Sequence, residues 1–283
     1  MLLISAYQAK QLLKDLESNK EESLISLDLG LSNSIVKIEN ENNKEKKFVF
    51  PDKQVLELDK IKKVIKKDTI CFYIENNEVF PVSIFSDETN NYYKLVPIEN
   101  KWPTLEISGI RMHVTKKYSP KEDTEEKISF VKPCVGIVLD TCTGLGYTAI
   151  MAGKIADLVF TIERDKNVIE IEKINPYSRE LFTNDKIKRI IGDSFEEIKK
   201  FKACFFDRII HDPPRVALSP LLYSQDFYNE LFRVLKYKGK IFHYTGDPGS
   251  KKGLDIRAGI IKRFEKAGFK NIKRVFNGLT AEK

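Results

Sequence analysis

The 283-residue chain is poor in the side chains that build metal centres and cross-links, with four cysteines, three histidines and one tryptophan. No two of Cys71, Cys134, Cys142 and Cys204 form a CxxC pair, and the histidines do not cluster with them. That spacing argues against a zinc site and a disulfide framework, and four buried free thiols in a reducing compartment are expected. No apolar run approaches the ~18–20 residues that a membrane-spanning helix needs. Residues 1–6 have no basic lead-in, and their apolar stretch is too short for a signal peptide. A cytoplasmic protein without membrane or metal is the expectation.

What is present is a sizeable apolar fraction, 42%, beside 31% charged residues. Such a chain packs a core, and its length suggests two domains. Net charge is +7, but residues 1–125 hold 19 Lys and Arg against 21 Asp and Glu, while residues 126–283 hold 29 against 20. A basic second half suits an anionic partner such as RNA. With only four glutamines and abundant Lys, Glu and Ile, it equally suits a surface adapted to heat.

Helical spacing predicts a helix over 6–20. Short β-branched and aromatic runs follow at 23–29, 34–39, 47–50, 69–75, 78–85 and 92–97, interrupted by a helical stretch at 56–67. Residues 1–115 therefore read as an α+β or β-rich domain for substrate recognition. Arg111 and His113 close it, either as a donor pair facing substrate or as exposed residues at a strand end. Residues 116–129 are charged and apolar-poor and read as a linker. From 130 to 283 the texture changes. Apolar runs at 135–139, 158–162, 187–191, 204–210 and 240–244 alternate with helical segments at 147–155, 166–175, 195–201, 223–235 and 255–267. That alternation predicts a doubly wound, mostly parallel α/β sheet covered on both faces, with ligands at the carboxyl ends of its strands.

Those ends carry acids. The first reads Asp140-Thr141-Cys142-Thr143-Gly144-Leu145-Gly146, whose glycines let a ligand approach the backbone. The second ends at Glu163, placed to accept from both hydroxyls of a ribose. The third ends Gly192-Asp193, placed for an adenine amino group. The fourth reads His211-Asp212-Pro213-Pro214-Arg215. Four carboxylates at successive tips repel one another unless a cationic or multiply donating ligand joins them. His211 reads as a base or as a satisfied strand-end histidine. His243 lies within the fifth strand and reads as core.

These residues resemble the class I S-adenosylmethionine-dependent methyltransferases over about residues 130–276. Residues 140–150, 175–180, 211–215 and 242–246 look like a group of predicted archaeal methyltransferases. The resemblance implies a seven-stranded Rossmann-like sheet and S-adenosyl-L-methionine as cofactor. It implies a cofactor site of Asp140, Thr141, Thr143, Gly144, Gly146, Tyr147, Glu163, Arg164, Gly192, Asp193, Ser194 and Asp212. Catalysis falls to Asp212, Pro213, Pro214, Arg215 and His211, and acceptor binding to Arg111, His113 and Arg215. Amino-directed members carry an aromatic residue after Pro-Pro; Arg215 stands there instead, able to stack and to grip phosphate or carboxylate.

Methyl transfer to RNA or another anionic acceptor is the main reading, with a small-molecule acceptor also open. The alternative is aminopropyl transfer from decarboxylated S-adenosylmethionine to a polyamine, since those enzymes share the sheet, the ribose-binding acid and a small β domain. A non-catalytic cofactor-binding module is a third reading. The loop 244–250 is expected to shape the acceptor pocket, and residues 277–283 look short for a complete final strand.

Overall fold

A computed structural model describes residues 1–41, 45–115, 118–246 and 251–283. The chain divides into two compact units. The first is Met1–Lys121 together with Glu170–Tyr177; the second is Glu122–Ile169 together with Ser178–Lys283.

In the first unit the predicted first helix is Ala6–Glu17, capped by Ser5 in a reciprocal pairing with Gln8. Its Ala9, Leu12 and Leu16 enter a core with Val36, Phe48, Leu56, Ile61 and Phe72. The β-rich remainder forms one three-stranded and two four-stranded antiparallel sheets. Residues 78–85, expected as one strand, are two, Glu78–Pro81 and Ser83–Ser86, in different sheets. Proline lacks the amide that would continue a ladder, and Pro81 sits at the break.

The second unit holds the predicted parallel sheet. Its strands are β1 (Ile137–Asp140), β2 (Leu158–Glu163), β3 (Ile187–Ile191), β4 (Phe206–His211), β5 (Leu235–Tyr244), β6 (Lys270–Val275) and β7 (Gly278–Glu282). Their order across the sheet is β3-β2-β1-β4-β5-β7-β6. The first five are parallel, and β7 runs antiparallel to β5 and β6. The final strand, expected to be cut short, pairs with β5 from Gly278 to Glu282.

Alternate residues of each central strand face opposite layers, which is why the strands read as unbroken apolar runs. Leu139, Ile209 and Ile241 pack with Phe227, Leu231 and Phe264. Val138, Ile210 and Phe242 pack with Ala149, Ile150, Ile128 and Val131. The strand order reverses at β1 and β4, and both end in an aspartate or its immediate neighbour.

The stretch 116–129, read as a linker, carries a helix, Pro120–Ser129, and the two units divide between Lys121 and Glu122. Asp123, Thr124, Lys127 and Ile128 on that helix are buried. All four cysteines are free, Cys71 and Cys134 buried, Cys142 and Cys204 half-buried. Among the described residues no helix is long and apolar enough to cross a membrane.

Candidate active site

Asp140 closes β1 and is fully buried. Its Oδ2 accepts from the hydroxyls of Thr161 at 2.8 Å and Thr148 at 3.2 Å, while Oδ1 has no hydrogen-bond partner among the described residues. Burial pushes its carboxyl up to about 8; the two hydroxyls oppose this, and the nearby Asp212 and Glu163 carboxylates add to it. At neutral pH the group therefore holds a proton unless a cation arrives.

The turn after Asp140 is built to keep its backbone open. Gly144 and Gly146 have φ of +56° and +76°, the left-handed region. A side chain on Gly146 would also strike Leu181, whose Cδ1 lies 2.3 Å from the position of a Cβ. Thr143 bonds Thr161 at 2.7 Å, and Thr141 bonds the His211 ring at 2.7 Å. Ser194 donates to the Thr141 carbonyl, and Tyr147 is buried at the start of the following helix. Gly192 lies close to Glu197, 2.6 Å from where a Cβ would sit.

Glu163 ends β2. Its two oxygens accept from the amides of Gly144 and Asp165, each at 2.9 Å. Burial raises its carboxyl and those amides counter the rise. Each oxygen keeps a second lone pair, so the carboxylate can still accept from hydroxyls. Asp193 caps a short helix through the Phe195 amide and pairs with Arg164 at 3.0 Å, with both side chains partly in solvent.

His211 is not presented at the strand tips. It is fully buried, and its Nε2 lies 2.9 Å from the Leu222 carbonyl, so Nε2 donates and Nδ1 accepts from Thr141. Burial pushes it down to about 3, so it stays neutral and carries no proton traffic in the physiological range. Its neighbour His243, 4.4 Å away between ring centres, bonds the Tyr228 hydroxyl at 2.9 Å.

Asp212 faces a partner that sequence reading did not assign. Its Oδ2 lies 2.6 Å from Nζ of Lys127, which lies 2.7 Å from Oδ2 of Asp123. Burial alone would lower the Lys127 ammonium's affinity for its proton; the two carboxylates outweigh that and hold it charged. Of Asp212's side chain 20% remains exposed, against 3% for Lys127 and none for Asp123. A signal for this pair was legible. Pro120 followed by Glu122 and Asp123 is a helix start, and Asp123 and Lys127 stand four apart on one face.

Pro213 and Pro214 follow. The Pro214 carbonyl accepts from the Tyr223 hydroxyl at 2.9 Å and is therefore already used once. Arg215 is exposed, and its side chain has no hydrogen bond or ion pair among the described residues. Arg111 and His113 belong to the first unit. There Arg111 bonds Thr115 at 3.1 Å and His113 lies 2.9 Å from the Thr104 hydroxyl. Of the loop 244–250, residues 247–250 lie outside the described residues.

The second unit thus gathers Asp140, Glu163, Asp212 and Asp123 in one neighbourhood, with Lys127 shared by two of them. Such a site can bind a nucleoside bearing cationic groups and align an amine beside it. A model of the spermine/spermidine synthase domain matches residues 150–273. Polyamine aminopropyltransferase 2 of Aquifex aeolicus is 31% identical over 117 residues, which are 39% of this chain and 23% of that protein. The spermidine synthase from Thermotoga maritima has a similar fold, with a TM-score of 0.56 at 19% identity, covering 74% of this chain and 76% of that one. The uncharacterized protein MJ1233 of Methanocaldococcus jannaschii is 47% identical over 283 residues, spanning 99% of this chain and 95% of that protein. With that identity over nearly its whole length, the chain belongs to the family of MJ1233, and it carries an α/β fold like that of the Thermotoga maritima spermidine synthase.

Proposed function

We propose that the protein transfers the aminopropyl group of decarboxylated S-adenosylmethionine to an amine. One observation carries this reading: the charge at the strand tips. Buried carboxylates outnumber cations there, the Lys127 ammonium is already paired twice, and Asp140 keeps an orphaned buried oxygen. A ligand with a sulfonium and a free ammonium fits that surplus; one that brings its own carboxylate fits it less well. The match to a spermine/spermidine synthase domain supports the same direction. S-adenosyl-L-methionine, the cofactor expected from the resemblance, thus gives way to its decarboxylated form in this reading.

The cofactor's sulfonium supplies an activated carbon, so the protein's task is alignment and proton acceptance. Asp140 would hold the ammonium, Glu163 the ribose hydroxyls and Asp193 the adenine amino group. Asp212 would accept from the acceptor's N–H through the oxygen that Lys127 leaves open.

Arg215 favours a second reading, methyl transfer from S-adenosyl-L-methionine to an acceptor with a phosphate or carboxylate, RNA included. Its exposed, unpaired guanidinium suits an anion and repels a polyamine. The by-products separate the two. Incubation with each cofactor, together with diamines and polyamines or with RNA, protein and metabolite fractions, should release methylthioadenosine with an amine acceptor. S-adenosylhomocysteine in its place would overturn the first reading in favour of the second. Release of neither, with cofactor still bound, would leave a binding module. Asp212→Ala should nearly abolish turnover while cofactor affinity falls only modestly, because alignment counts most in the transition state. Arg215→Ala should leave or lower the KM for a polyamine, whereas methyl transfer to an anion predicts a raised KM.

A further inference from the structure

We infer that Lys127 is the positioning residue of the transfer site: anchored by Asp123, its ammonium ties down one oxygen of Asp212 and leaves the other for an acceptor nitrogen that arrives uncharged. The inference rests on the transfer reading above and concerns how Asp212 is prepared for it.

The connection joins residues 85 positions apart and two elements, the Pro120–Ser129 helix and the end of β4. Burying three charges is costly, and a packed apolar trio is often as stable or more so. Stability alone therefore does not account for it. Exposure increases along the chain from Asp123 through Lys127 to Asp212, so the array opens only at its last member. An ammonium has three N–H groups. Two face the carboxylates, and the Tyr244 ring centre lies 5.2 Å from Nζ. Lys127 thus has little left to offer a substrate and acts through Asp212.

The groups facing Asp212 are Lys127 and Asp123 from the helix, Asp140 and Cys142 from the β1 turn, Tyr223 after the Asp-Pro-Pro-Arg turn, and Tyr244 at the end of β5. Among the described residues Lys127 is the one cation in an ion pair with the carboxylate. The others that ionise would add negative charge and favour a proton on Asp212. Lys127 takes one oxygen of Asp212; the attacking nitrogen needs its lone pair, so it arrives uncharged and donates an N–H to the other oxygen.

The test uses the full chain with Asp123→Asn and Lys127→Met combined, so that no orphaned charge is left buried, and Asp123→Asn alone as the control that keeps the Lys127–Asp212 pair. Carbon-13 titration of the Asp212 carboxyl, assigned by its loss in Asp212→Asn, should show the double variant titrating about one pH unit or more above wild type. The control should stay near wild type. The acid limb of the pH–kcat profile should move in the same direction, with acceptor KM changing less than kcat. An unmoved Asp212 titration overturns the inference, and so does a moved titration with an unmoved acid limb. A wild-type protein that releases neither thioether by-product defeats the transfer reading instead, while the titration still decides whether Lys127 holds the Asp212 charge.

Discussion

Asp140 couples binding to protons. Its carboxyl, pushed to about 8 chiefly by burial, is protonated in the ligand-free protein at neutral pH. A cationic ligand stabilises the ionised form, so binding at pH 7 should expel about one proton, and affinity should rise from pH 6 to 8. Calorimetry in buffers of different ionisation enthalpy reads that proton directly; Asp140→Asn should release none. The same shift acts on stability. The folded value lies above the unfolded one, so this residue's contribution is complete below the ordinary carboxylate range and is lost as pH climbs through about 8. Denaturant titrations of the ligand-free protein should show that slope relative to Asp140→Asn, which has no such proton to lose. Glu163→Ala should weaken cofactor binding by about 1.5–3 kcal/mol, the value of hydrogen bonds to a charged group. Unchanged affinity would remove Glu163 from the ribose.

The turn between β1 and the helix Tyr147–Gly153 separates two kinds of glycine. At Gly144 an added methyl meets nothing within 4 Å, so Gly144→Ala pays only for its left-handed backbone, about 1–2 kcal/mol. At Gly146 the same substitution adds a collision with Leu181, and its total cost should exceed that of Gly144→Ala by at least about 1 kcal/mol. Chemical denaturation of the two variants checks the ranking. Both helices and most strands of the first unit were legible, as were the elements of the second that build the parallel sheet. The central parallel strands stood out because burial on both faces favours apolar residues along them, and the acids at their tips followed from that placement. β6 did not stand out, since Lys270-Asn271-Ile272-Lys273-Arg274 lies at the sheet edge and is largely polar. The Pro120–Ser129 helix carried a start signal, but its charged composition made it read as a linker. Its buried face carries Asp123, Thr124 and Lys127, and Lys127 pairs with Asp212, 85 positions away, which composition does not show. The partner of Asp212 was accordingly missed. His211 was ambiguous in sequence because its role depends on Leu222 and Thr141, and only the fold brings those to its ring nitrogens.

At the scale of the whole chain, sequence order and spatial grouping part company. The helix Lys166–Ile174 begins in the second unit, yet Glu170–Tyr177 groups with the first. Tyr177 donates to the Leu29 carbonyl at 3.1 Å, and its ring centre lies 5.3 Å from that of Trp102. A fragment of residues 126–283 therefore leaves that segment without the residues it packs against. It should unfold at lower denaturant concentration than the full chain, with a broader transition, as followed by circular dichroism. Equal midpoints and slopes would show that the fragment is self-sufficient. The same interleaving bears on descent. A module that begins and ends in one continuous stretch can be gained, lost or traded by a single recombination event. Here an exchange of residues 1–115 would take away Leu29 and Trp102 but leave Tyr177 behind, so the two parts of this gene are bound to change together.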